Sequence, residues 1–108
     1  MNHQSRKRVS LKSISAARRD LILCMHEKQF GTIRNLSVVA GEPVLTKAKI
    51  VRRHNLAKQI ATKPASNNFN LKAAHLRLLE TLDRICDGTL ELITFRDGLP
   101  CELDECET

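Results

Sequence analysis

The sequence predicts an α+β fold: a two-layer sandwich from two helix-hairpin (αββ) repeats, with an antiparallel sheet and helices on one face. Three observations carry this. First, a short unit is written twice, once as FGTIRNLSVVAGEPVL from Phe30 to Leu45 and once as DGTLELITFRDGLPCEL from Asp87 to Leu103. Without a gap, Gly31 falls on Gly88, Thr32 on Thr89, Gly41 on Gly98 and Pro43 on Pro100, and apolar character persists at Ile33/Leu90, Leu36/Ile93 and Val38/Phe95. Second, a stretch of helical periodicity precedes each copy, and the register extends back into it through Ala16/Ala73, Ala17/Ala74 and Leu21/Leu78. Third, each copy is an alternating, strand-like run that ends at a glycine turn.

Residues 1–12 are polar and basic and read as an arm outside the fold. Ser13 or Ser15 can cap a helix beginning near Ile14. Ile14, Ala17, Leu21, Cys24, Met25 and Lys28 fall on one stripe, with Arg18, Arg19, Glu27 and Gln29 turned to water. Gly31 ends that helix. Thr32 to Val39 reads as a strand with Leu36 and Val38 on the same face as Thr32 and Arg34. The turn at Ala40-Gly41-Glu42-Pro43 leads to a second strand, Val44 to about Val51. It directs Lys47 and Lys49 outward with Leu45 and Val51, or with Ala48 and Ile50 on the other side. Residues 52–69 read as a linker, mostly loop.

Asn70 can cap the second helix, whose stripe is Leu71, Ala74, Leu78, Leu82 and Ile85, widened by Leu79. Thr89 to Phe95 is the third strand, Asp97-Gly98 a hairpin turn, and Cys101 to about Asp104 a short last strand. The acidic end from Asp104 to Glu107 is expected to fray. One helix with one hairpin is marginal alone. Two such units sharing a sheet bury both apolar faces. The expected organisation is therefore a basic arm over 1–12 and one domain over 13–108. Within it, repeat one is 13–51, the linker 52–69 and repeat two 70–104.

A chain of 108 residues with 42% apolar and 28% charged content suits one globular domain. Phe30, Phe69 and Phe95 are its three aromatics, so the core is aliphatic. The net charge of +6 is unevenly placed: Met1–Lys63 is rich in Lys and Arg, and Pro64–Thr108 is acidic. This split suits an acidic partner for the first half, or a meeting of the basic half with the acidic half of the same molecule or of a second copy. Cys24, Cys86, Cys101 and Cys106 form no CxxC pair, no apolar leader opens the chain, and no stretch is long enough to cross a bilayer. A cytoplasmic protein with free thiols follows.

A helix followed by Gly-Thr and a hydrophobic residue, an alternating strand, a glycine turn and a second short strand resembles the small YezD-like bacterial domain of unknown function. Phe30-Gly31-Thr32-Ile33 with Gly41, and Gly88-Thr89-Leu90 with Asp97-Gly98, carry the likeness. It implies a tandem duplication of that domain and supports the helix-hairpin unit. It implies no activity. The acidic end of the second copy departs from the family's charged end, to which Lys49–Arg53 is similar.

The histidines and cysteines lack metal-ligand spacing, and no phosphate-binding glycine loop occurs, so neither a cofactor nor an enzyme is expected. The basic residues point to nucleic acid. Arg6, Arg8, Lys12, Arg18, Arg19, Lys47, Lys49, Arg52, Arg53 and Lys58 make one surface if the first helix's start, the second strand and the linker share a side. With so few aromatics, the expected ligand is duplex DNA or structured RNA held by backbone charge, not single strands held by stacking. The competing expectation is a protein-protein adaptor or homodimer using the open sheet face, where Ile33, Leu90 and Leu92 would be exposed.

Overall fold

The computed structural model describes residues 9–54 and 69–106, in which two helices and a five-stranded open antiparallel sheet make an α+β fold. The helices are α1 (Ala16–Lys28) and α2 (Ala73–Ile85). The strands are β1 (Gly31–Val39), β2 (Glu42–Val44), β3 (Lys49–Arg52), β4 (Gly88–Arg96) and β5 (Leu99–Glu105).

Local chemistry sets the helix ends. Ser15 caps α1, its hydroxyl accepting the backbone N–H of Arg18 at 3.3 Å. The first turn of α2 is closed differently: the Lys72 N–H donates to Nδ1 of His75 at 3.0 Å. Asn70, the expected cap, instead forms an isolated bridge with Ser10. Both helices end on a positive-φ residue at the centre of a γ-turn, Gln29 (φ 67°, ψ −46°) and Cys86 (φ 61°, ψ −65°), with Phe30 N–H donating to the Lys28 carbonyl at 2.8 Å and Asp87 N–H to the Ile85 carbonyl at 2.6 Å. Each end is then pinned to the turn of the other hairpin. Gly98 N–H donates to the Gln29 carbonyl at 2.9 Å, and Gly41 N–H to the Cys86 carbonyl at 2.8 Å.

Those turns are two-residue connections with both central residues at positive φ: Ala40 (52°) with Gly41 (76°), and Asp97 (53°) with Gly98 (76°). Their backbone matches the right-handed twist of paired strands. Alanine is poorly suited to this conformation, and the Asp87 carboxylate supports it by accepting the Ala40 N–H at 2.9 Å.

At the centre of the sheet β1 pairs with β4, from Gly31 opposite Phe95 to Val38 opposite Gly88. β5 lies outside β4, while β2 and β3 share the other side of β1. The expected continuous second strand is thus two strands, interrupted by a 3-10 turn over Leu45–Lys47. The last strand is longer than expected. Glu105 pairs with Leu90, and Cys106 N–H reaches the Thr89 carbonyl, so the expected fraying does not begin at Asp104.

Strict alternation also fails in both central strands. Ile33, Leu36 and Val38 of β1 and Leu90, Ile93 and Phe95 of β4 are all buried. The phase changes at Asn35, which takes a left-handed φ of 57°, and at Glu91, where the pairing of β4 with β5 shifts. An extra residue at a bulge moves the following side chains to the other face. Ile33 and Leu90 therefore belong to the core, contrary to expectation, and Leu92 is half-buried on the opposite face.

The core joins those six side chains to Leu21, Ile22 and Met25 of α1 and to Leu78, Leu79 and Leu82 of α2. Each fully buried aliphatic side chain contributes about 1.5–3 kcal/mol. Leu11 joins them at 1% exposure, held by a hydrogen bond from its N–H to the Phe69 carbonyl, with Leu71 N–H bonded to Val9. The arm expected over 1–12 is therefore packed from Val9 onward. Residues 1–8 and most of the expected linker, 55–68, lie outside the described residues.

Candidate nucleic-acid interface

The basic edge of the sheet depends on Gly31. A Cβ there would lie 2.1 Å from the Val51 carbonyl oxygen and 2.9 Å from the Phe95 ring. Lacking one, Gly31 lets β3 close against β1 over the buried Phe95, with Arg52 opposite Gly31 and Lys49 opposite Arg34. The edge continues past β3, because the Arg53 N–H donates to the Phe30 carbonyl at 2.8 Å. Lys47 sits just before it, in the 3-10 turn.

Arg34, Lys47, Lys49, Arg52 and Arg53 are all exposed. None makes an ion pair among the described residues, where Arg18–Asp83 and Arg84–Glu105 are the ion pairs. Like charges directly opposite each other on paired strands are destabilising, so Arg34 and Lys49 concentrate uncompensated positive charge at this edge. Arg34 was missed by sequence reasoning. The signal was present in principle, since a cation on the central strand joins any basic edge beside it, but the register was needed to find it.

The other expected residues divide. Lys12 is exposed in a 3-10 turn before α1, and Arg19 is half-buried on α1. Arg18 is turned inward, 15% exposed at its side chain, with Nε and Nη2 donating to the Gly41 carbonyl at 3.2 and 2.9 Å and Nη2 meeting Asp83 at 2.5 Å. Its charge is committed within the fold. Arg6, Arg8 and Lys58 lie outside the described residues. The structure thus places Lys47, Lys49, Arg52 and Arg53 along one edge, with Lys49 beside Arg34 on one face and Arg52 turned to the other, and sets Arg18 apart.

The opposite edge is acidic. Glu102 and Asp104 of β5 are exposed, and Glu105 meets Arg84 at 2.5 Å. The hydrogen bond from Arg84 holds the Glu105 carboxyl below its ordinary range.

The remaining reactive groups carry little chemistry. Burial pushes the Cys24 thiol up, and the neighbouring Asp87 carboxylate does the same to Cys86, which opposes thiolate formation at both. His75 is 2% exposed, and burial lowers its pKa. Its Nδ1 accepts the Lys72 N–H, which places the proton on Nε2, 3.4 Å from the Gly98 carbonyl. Phe69 stacks 4.3 Å from His26 and 6.0 Å from His75. A cleft of about 140 Å³ lies between α2 and β5, lined by residues including Ala74, Leu78, Pro100 and Leu103. That is below the usual size of a small-molecule site. Among the described residues no group of three or more His, Cys, Asp or Glu is placed to hold a metal ion, and no helix is long and apolar enough to cross a membrane.

The chain matches no family model, no curated protein and no solved structure.

Proposed function

We propose that this is a small, non-enzymatic nucleic-acid-binding protein that holds the phosphate backbone of duplex DNA or structured RNA along its β3 edge. The observation that carries this reading is the cluster of five exposed cations, Arg34, Lys47, Lys49, Arg52 and Arg53, with no carboxylate partner among the described residues. Two of them, Arg34 and Lys49, stand directly opposite each other. Phosphates spaced along a backbone satisfy such a row, and the counterions they release supply the driving force. The aromatics favour charge over stacking, because Phe95 is buried and Phe69 is engaged with His26.

In this reading the chain is a tandem of two YezD-like helix-hairpin units related by an approximate two-fold axis, with both helices on one side of the sheet. The exchanged hydrogen bonds of Gly41 and Gly98 and the matching γ-turns at the two helix ends support that arrangement. The protein acts in the cytoplasm, where its four free cysteines stay reduced.

The test is a titration of fluorescently labelled duplex DNA and hairpin RNA at increasing salt. The reading predicts binding at low salt and a slope of log K against log salt of about −3 to −5, from four or five phosphate contacts. No binding to either ligand at low salt overturns it.

A further inference from the structure

The sheet face turned away from the core is graded in charge, and the grading is set by register. One row across the strands runs Lys49, Arg34, Leu92, Asp104, and the next runs Val51, Thr32, Thr94, Glu102. Each row is cationic or apolar at the β3 edge and acidic at the β5 edge. Val51 is 43% exposed on this face, a large apolar side chain left in water beside Thr32. Neither Glu102 nor Asp104 makes an ion pair among the described residues.

From these rows we infer that the face docks on the same face of a second copy, about a two-fold axis parallel to the strands. Such an axis keeps the level along the strands and reverses their order. β3 of one copy then lies over β5 of the other, and β1 over β4. Lys49 meets Asp104 of the second copy and Val51 meets the stem of its Glu102, and the same contacts recur on the other side of the axis. The contact is self-complementary and closes at two chains. The alternatives are disfavoured by the same charges. Joining two β5 edges sets Glu102 and Asp104 against their own kind, and joining two β3 edges does so with Lys49.

The face measures about 30 Å by about 19 Å, from the rise of a nine-residue strand and the width of four strands side by side at about 4.8 Å each. The two copies together then bury on the order of 1,100 Å², at the low end for a specific interface. An area this small, with charges at both ends of each row, makes the contact weak and sensitive to salt. Arg52 shares the register of buried Gly31, and Lys47 lies in the 3-10 turn, so neither belongs to this face. The inference goes beyond nucleic-acid binding: Arg34 and Lys49 belong to both surfaces, so phosphate and the second copy compete for them, and the nucleic-acid reading is tested on Arg52 and Arg53.

The experiment is sedimentation equilibrium of the full chain, freed of nucleic acid, over a range of concentrations and salt. The expected result is a monomer–dimer equilibrium that weakens with salt. Lys49→Glu and Asp104→Lys each weaken it about tenfold or more, and the two together restore it. A monomer at every concentration overturns the inference, as does growth beyond two chains or a double reversal that fails to restore the dimer. Loss of duplex binding in Arg52/Arg53 variants does not bear on this result.

Discussion

The guanidinium of Arg18 donates two hydrogen bonds to the carbonyl of Gly41, at 3.2 and 2.9 Å. The same group reaches Asp83 on α2, so one side chain joins α1, the β1–β2 turn and α2. Because the group is mostly buried and Gly41 is itself buried, removing it leaves a carbonyl without its donor. Arg18→Ala is expected to lower stability by about 1.5–3 kcal/mol, the range for hydrogen bonds to a charged group. Asp83, 67% exposed at its side chain, is worth less: Asp83→Ala is expected to cost under about 1 kcal/mol. Urea denaturation of the two variants measures both values.

His75 makes stability depend on pH. Burial lowers its folded-state pKa below the ordinary value of 6.5, helped by the nearby positive charge of Lys72 and by His26, while the hydrogen bond to Gly98 acts the other way. Below about pH 6.5 the unfolded chain binds a proton that the folded chain refuses, so stability falls with pH until the folded pKa is passed. A protonated ring would also turn Nδ1 into a donor facing the Lys72 N–H. His75→Leu is expected to lose some stability at pH 8 and to fall less steeply between pH 6.5 and 5. Comparing the two stability profiles isolates His75 from the other histidines.

Gly31 holds the basic edge in place without contributing charge. Gly31→Ala brings a methyl group into the Val51 carbonyl and the Phe95 ring, and only displacement of β3 relieves it. The expected loss is more than about 1 kcal/mol. Amide hydrogen exchange of Val51 and Arg53, whose N–H groups face β1 and the chain just before it, should accelerate more than that of β4. Gly88 has no comparable neighbour, its Cβ meeting only the Ile85 side chain at 3.0 Å, so Gly88→Ala is the matched control.

Periodicity made both helices and the central strands legible in the sequence, because their buried residues recur at regular steps. Regularity also misled. Alternation carried through Asn35 and Glu91 assigned Ile33 and Leu90 to the wrong face, since a bulge leaves no compositional mark in so short a strand. Ile22 was missed on α1 because the chosen stripe followed Cys24, which is only half-buried. Lys49, Arg52 and Arg53 were legible as cations in a strand and its end. Arg34 was not, because its place beside Lys49 is a matter of pairing between strands. Arg18 appeared to be a solvated cation, because the turn that draws it inward is distant in sequence.

The basic β3 edge is the centre of the account, and the affinity of the Arg52→Ala/Arg53→Ala variant for duplex DNA or hairpin RNA at low salt tests it most directly. Both side chains are exposed, so the fold and its unfolding midpoint should be nearly unchanged. The predicted result is a fall in affinity of about tenfold or more, with a salt slope shallower by about 2. Unchanged affinity and slope in a folded variant would contradict the account.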